Sequence, residues 1–192
     1  EVSASFLSFS DNKDTSFSNK IKAQYDLVII GAGPAGAAAA IEAKRLGLTY
    51  VVLEASDRPF DTLQNFPKGK PMFYEPDDLV ELSPLTMEGK TKEELLTHLC
   101  GIFDQHDLHV EYTQKVDAIY TLSGRGENII VTNTHAYAAR KTILAIGKSG
   151  NARRLEVPGE DLAHVYNKLY DPAEFKGNNI LVVGGGDTAL ES

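Results

Sequence analysis

Cysteine is nearly missing from this chain: Cys100 is the only one in 192 residues. No intramolecular disulfide can form, which fits a reducing compartment, and a cytoplasmic location is expected. A lone cysteine on a helical stretch reads as a small buried hydrophobe rather than a reactive thiol. The five histidines, at 98, 106, 109, 135 and 164, have no cysteine or second histidine at zinc spacing, so no metal is expected. Long apolar runs are missing too. None approaches the roughly 20 residues that a membrane helix needs, and no membrane partner is expected. Positive charge is in deficit, with 19 Lys and Arg against 27 Asp and Glu and a net charge of −8. A nucleic-acid surface carries the opposite balance, so none is expected. A basic n-region followed by an apolar h-region is absent from residues 1–20, which are read as an N-terminal extension rather than a signal peptide.

What the chain does have is glycine in two matching arrangements. The first is Gly31-Ala32-Gly33-Pro34-Ala35-Gly36, after the apolar run Tyr25 to Ile30. The second is Gly184-Gly185-Gly186-Asp187-Thr188-Ala189, after Asn179 to Val183. Strand, glycine turn and helix start together form a pyrophosphate site. In such a site the first glycine makes the tight turn, the second admits the pyrophosphate to the backbone, and the third lets the helix pack on the strand. The helix after the first turn is expected from Pro34 to Leu46, ending at Gly47; proline inside the start and glycine past the end suit it. Its positive N-terminal end attracts a diphosphate. The next strand, Thr49 to Leu53, ends on Glu54, 23 residues beyond Gly31. That is close to the spacing of about 20 expected of a ribose-binding acid. Two dinucleotide sites in one chain suggest electron transfer from one dinucleotide to another.

Between the two motifs, residues 55–84 are loop-rich, with prolines at 59, 67, 71 and 76 and a further one at the end, Pro84. Loops of that length in a compact domain are usually functional. Leu95, Leu96, Leu99, Ile102 and Phe103 form a helical stripe from Lys92 to Gln105, with Thr91 as cap and Glu93 and Glu94 in an acidic first turn. Leu108 to Tyr112 alternates as a strand. From Lys115 to Ile146, short strands and turns read as an antiparallel meander that leads into a buried strand, Lys141 to Gly147. The fold expected is α/β: a Rossmann-like dinucleotide-binding domain with a parallel sheet plus an antiparallel β-meander, occupying residues 21–150. Residues 151–192 are expected to be a linker and the incomplete start of a second nucleotide-binding domain.

These motifs resemble the two-dinucleotide flavoprotein oxidoreductases, in particular the thioredoxin reductase-like group, over about residues 25–192. The resemblance implies FAD on the first motif and NADPH or NADH on the second. It implies that Gly31, Gly33, Gly36 and Glu54, with the intervening Pro34 and Ala35 and the adjoining Ala55, hold FAD. Asn65-Phe66-Pro67 is similar to an element that lies against the flavin, with Lys68 where glycine often follows. Val116 matches a position whose backbone meets the adenine. The strand through Ala145 to Gly147 is similar to one that closes the FAD site, and Arg153 to Glu160 to the segment after it. Gly184, Gly186, Asp187 and Thr188 correspond to the nicotinamide-nucleotide motif.

The departures bear on the reaction. Disulfide reductases need two neighbouring cysteines to take electrons from the flavin. Neither place where the family puts them has any here: residues 55–70 contain none, and Val165 to Asp171 stands where a C-x-x-C would be. The chain therefore resembles the cysteine-free branch, such as the ferredoxin–NADP reductases, of which Phe66 to Pro71 is reminiscent. Asp57-Arg58-Pro59 replaces the Gly-Gly-Gln often found after the ribose acid. The function expected is hydride transfer from NAD(P)H to FAD and on to an unidentified acceptor, a small protein carrier or a small molecule, with no catalytic acid or base recognisable. A homodimer is one oligomeric option. A non-catalytic dinucleotide-binding module is an alternative, since only six residues follow Gly186 and the fragment by itself is expected to be inactive. A flavin monooxygenase is a weaker one, because its Phe-x-Gly…His motif is not found.

Overall fold

The structure, a computed structural model, describes residues 24–73, 82–122, 126–148 and 154–190. The extension of residues 1–20 and Arg153 lie outside the described residues. Strand β1 (Tyr25–Ile30) leads through the glycine turn into helix α1 (Pro34–Arg45), and β2 (Tyr50–Leu53) follows. A four-residue helix, α2 (Asp61–Gln64), and the longer α3 (Lys92–Gln105) come next. They precede β3 (Val110–Glu111), β4 (Val116–Leu122), β5 (Glu127–Thr132) and β6 (Ala136–Leu144). A 3-10 turn at Pro172–Phe175 and a final helical turn, α4 (Asp187–Leu190), complete the order.

The strands form one six-stranded sheet in the order β3-β2-β1-β6-β5-β4. β1 pairs parallel with β2 and with β6, and β2 pairs parallel with β3. β5 runs antiparallel to both β6 and β4. The expected parallel core with an attached meander is what forms. β1 is central because Val28, Ile29 and Ile30 bury both faces, the mark of a parallel strand covered on each side. On one face, Ala40 and Ala43 of α1 lie against Leu27, Ile29 and Val52. Alanines there keep the helix close to the strand. On the other face, Val28, Ile30, Val51 and Leu53 meet Ile130 and Tyr137 of the meander. A third cluster joins the helices: Ala37 and Ile41 of α1, Phe60 and Leu63 at α2, and Leu95, Leu99 and Phe103 of α3.

The helix limits agree with the sequence. α1 ends at Arg45 with Leu46 as its C-cap, one residue short of the expected end, and Gly47 follows with φ +68°. Thr91 and Glu94 close α3 with a reciprocal capping box. The strands depart from expectation in three places. Leu108 to Tyr112 shrinks to the two residues of β3, and Lys141 to Gly147 is the end of a longer β6 that stops at Leu144. β6 is long because its first half serves β5 while most of its length serves β1. The strand expected from Asn179 to Val183 does not form. Those residues join no ladder, and Ile180, Leu181, Val182 and Val183 are exposed, Leu181 by 86%. A strand requires a neighbour to take its amides, and the described residues provide none at that point.

Candidate dinucleotide site

Three parallel strands, β2, β1 and β6, deliver their C-terminal ends to the same side of the sheet. Between β1 and α1 the three glycines meet three different physical demands. Gly31 sits at φ +104°, in the region that favours glycine, and a Cβ on it would stand 2.5 Å from the Ala145 carbonyl oxygen. Gly36 packs so closely that a Cβ would fall 1.8 Å from the Gly31 carbonyl oxygen. Gly33 differs from both, since a Cβ there would meet nothing within 4 Å. Two glycines are needed by the fold, and the third faces open space where a ligand can approach the backbone.

The start of α1 is prepared for an anion. Its cap, Gly33, supplies no side-chain acceptor, Pro34 has no amide hydrogen, and no acid stands in the first turn. The amides of Ala35 and Gly36 are left for an acceptor from outside the helix. The turn itself is rigidly tied. Gly31 N–H donates to the Leu53 carbonyl (2.8 Å), Ala145 N–H to the Ile30 carbonyl (2.8 Å), and Phe60 N–H to the Ala32 carbonyl (3.0 Å). Phe60 holds that bond with φ +56°, an unusual backbone for a bulky residue, kept in place by its buried ring edge-on to Phe103 at 5.5 Å.

Glu54 lies beside this turn. Ala32 N–H donates to its Oε2 at 2.6 Å, and the Ser56 amide and hydroxyl both donate to its Oε1 at 2.9 Å. These bonds fix the plane of the carboxylate while leaving Oε2 a lone pair for an incoming hydroxyl. Ala55, next to it, is exposed. The chain returns to the same place before β4: Gln114 N–H donates to the Glu54 carbonyl (2.8 Å) and Thr113 N–H to the Ser56 carbonyl (2.9 Å). Val116, two residues on, therefore starts β4 on the Glu54 side of the site. Ala145, past the end of β6, covers the opposite side, and Gly147 follows two residues later at φ +63°.

Asn65-Phe66-Pro67 follows α2. Asn65 donates through Nδ2 to Asp61 Oδ2 at 2.8 Å, and Phe66 packs partly buried on the helical cluster. The first turn of α3 holds this segment along its length. Lys92 Nζ donates to the carbonyls of Gln64 (3.1 Å) and Phe66 (2.7 Å), and its amide donates to the Lys70 carbonyl (2.9 Å). The Glu93 carboxylate accepts from Gly69 N–H at 3.2 Å. Tyr170 and Asp171, from the expected linker, dock on the same segment. Lys68 N–H donates to the Tyr170 carbonyl at 2.8 Å, and Lys68 Nζ pairs with Asp171 Oδ2. The Lys68 ammonium holds the Asp171 carboxyl below the usual aspartate range.

The structure thus brings Gly31, Gly33, Pro34, Ala35, Gly36, Glu54 and Ala145 into one cradle, with Val116 and Asn65-Phe66-Pro67 on segments bonded to it. It does not bring Gly184, Gly186, Asp187 and Thr188 there. Gly184 shares with Gly31 only a positive φ, +138°, and Ala189 N–H donates to the Gly186 carbonyl at 2.9 Å to begin α4. Sequence reasoning missed Ser56, Gln114, Lys92 and Tyr170. For Lys92 a signal existed, since a lysine in the first helical turn opposes the helix dipole and needs another reason to be there. Cys100 is half-buried on α3, and burial followed by the nearby Asp104 pushes its thiol up, away from the reactive thiolate. Among the described residues there is no cluster of three or more metal-ligating side chains, and no helix is long and apolar enough to cross a membrane.

The chain is similar to known proteins over most of its length. The chain is 31% identical over 169 residues to a ferredoxin–NADP reductase of Ignicoccus hospitalis, covering 87% of this chain and 51% of that protein. It is 30% identical over 176 residues to a thioredoxin reductase of Bacillus subtilis, covering 87% and 48% respectively. The structure of bacillithiol disulfide reductase Bdr from Staphylococcus aureus superposes with a TM-score of 0.73 at 25% identity, over 86% of this chain and 51% of that one. The chain spans about half the length of these relatives. Residues 28–192 match the family described as pyridine nucleotide-disulphide oxidoreductase, and with its glycine turn and mixed sheet the chain belongs to that family.

Proposed function

We propose that this chain is the FAD-binding portion of a flavoprotein reductase that takes hydride from NADPH or NADH and passes electrons to an acceptor other than a dithiol of its own. The observation that carries this is the glycine turn: Gly31 and Gly36 are demanded by the fold, whereas at Gly33 the fold demands no glycine and leaves open space beside the backbone. In this reading the amides of Ala35 and Gly36 take the pyrophosphate, and the free lone pair of Glu54 accepts from a ribose hydroxyl. The Val116 backbone meets the adenine, and Ala145 and Gly147 close the cradle. Asn65-Phe66-Pro67 lies along the ring system. Bound there, the flavin supplies an acceptor for hydride and a donor of electrons. Gly184, Gly186, Asp187 and Thr188 receive the nicotinamide nucleotide. With Cys100 the only cysteine in these 192 residues, this portion holds no disulfide of its own to be reduced. The acceptor is accordingly a small protein carrier or a small molecule.

The test is the absorption spectrum of the complete protein, reconstituted with FAD, before and after anaerobic addition of NADPH or NADH. Flavin bands that bleach with one donor support the reductase and identify that donor. A protein that takes up no FAD overturns the reading.

A further inference from the structure

Lys92 is the one lysine that the described structure buries, with 4% of its surface exposed. Burying an ammonium is costly unless hydrogen bonds and countercharge compensate it. Here the compensation comes from two separate segments. The carbonyls of Gln64 and Phe66, on either side of Asn65, accept from Nζ at 3.1 and 2.7 Å. The Tyr170 ring lies 4.8 Å below the same ammonium, at a distance where the ring face attracts a cation. Glu93 Oε1 adds a distant countercharge at 3.9 Å. Lys68 approaches the ring as well, at 5.6 Å, so the ring meets two ammonium groups. The backbone bond from Lys68 N–H to the Tyr170 carbonyl completes the junction. The Gln64 and Phe66 carbonyls belong to the end of a four-residue helix and the turn after it, where intrahelical donors are lacking. An apolar side chain at position 92 would fill the space and leave both carbonyls without this donor.

We propose that Lys92 is a positioning residue that fastens the Asn65-Phe66-Pro67 turn to Tyr170, so that the turn and the 168–171 segment keep one fixed relation. Its effect on a flavin rests on the function proposed above; the fastening itself does not. One charge satisfies two carbonyls of a single turn and a ring from a segment far along the chain. Loss of the charge at position 92 therefore loosens the 168–171 segment, and loss of the ring at position 170 loosens the Asn65 turn.

The experiment is residue-resolved amide exchange on this chain without added ligand, comparing wild type with Lys92→Met, Lys92→Gln, Tyr170→Leu and Tyr170→Phe. The reporters are the amides of Phe66, Lys68 and Lys70, bonded to the carbonyls of Leu63, Tyr170 and Pro67. Lys92→Met keeps the length of the side chain and removes its charge. It should lower protection at Phe66 and Lys68 by about tenfold or more, the value of a charge-assisted hydrogen bond, while Leu95 and Leu99 of α3 stay protected. Lys92→Gln retains N–H donors and should recover part of the loss. Tyr170→Leu should loosen the same amides and Tyr170→Phe should not. Tyr170 is half exposed, so its variants fold even if the Lys92 variants do not. Unchanged exchange at Lys68 in Lys92→Met, unchanged exchange at Phe66 in Tyr170→Leu, or equal loss throughout α3 would overturn the proposal. FAD titration of the complete protein is the second readout. Wild type should bind about tenfold more tightly than Lys92→Met, with Lys92→Gln between them. A wild type that binds no FAD removes the flavin reading and leaves the exchange result to decide the fastening.

Discussion

Gly33 and Gly36 are the same residue type under opposite constraints, and a single methyl group separates them. At Gly36 the added carbon would lie 1.8 Å from a backbone oxygen that cannot move without unseating β1. Gly36→Ala should therefore cost about 3 kcal/mol of unfolding free energy in urea, the upper range for overpacking. Gly33→Ala meets open space, so its urea midpoint should match wild type while its affinity for FAD falls. Equal stability loss in both variants would contradict the assignment of Gly33 to a ligand. The glycine spacing alone could not separate these roles, because it is identical for a site and for an empty turn. Glu54 was readable at its position but not in its bonds: the contribution of Ser56 depends on a hydroxyl two residues on, for which no spacing rule exists. Lys92 was readable only as an oddity, since its partners are 28 and 26 residues away and appear when α3 meets the Asn65 turn.

Helix α3 joins that turn to the rest of the domain, and its first turn depends on a carboxylate. Glu94 accepts from the amides of Lys90 and Thr91, and these bonds, Lys90's first, hold its carboxyl below the ordinary glutamate value of 4.5. A carboxyl with a depressed folded-state pKa stabilises above its unfolded value, and that contribution fades as pH falls through and below it. The urea midpoint of Glu94→Ala should lie below that of wild type at neutral pH, and the difference should shrink as pH falls below the ordinary glutamate value. A difference that persists in acid would mean that packing, not the charge, fastens the helix. The helices were readable because Thr91, Pro34 and Gly47 punctuate them. The strands were less so. Asn179 to Val183 has the composition of a buried strand, but composition cannot supply the neighbour that a ladder needs. The four-residue α2 was hidden in the proline-rich loop, because it is held by Phe60 against Ala32 rather than by any helical pattern of its own.

The site as a whole joins four stretches of chain: the glycine turn, the Glu54 region, the Asn65 turn and the end of β6. A ligand bound across them stabilises only the folded state. FAD at a hundredfold excess over its dissociation constant should therefore raise unfolding free energy by about 2.7 kcal/mol, visible as a higher melting temperature. No shift under saturating FAD would mean that the cradle takes no dinucleotide. The α/β class, with its meander, was readable from the alternation of motifs; the sheet order was not, because it depends on which strand lies beside β1. That neighbour is β6, whose Ala139 pairs with Tyr25 and whose Leu144 pairs with Ile30. This pairing sets an order of assembly. During synthesis the glycine turn, α1 and Glu54 emerge early, yet Ala145, against which Gly31 is moulded, arrives more than a hundred residues later. Until then β1 has one open edge and the turn has nothing to close against. The cradle is therefore a late product of folding, and a nascent chain can gain nothing from a dinucleotide before the last strand of the sheet is in place.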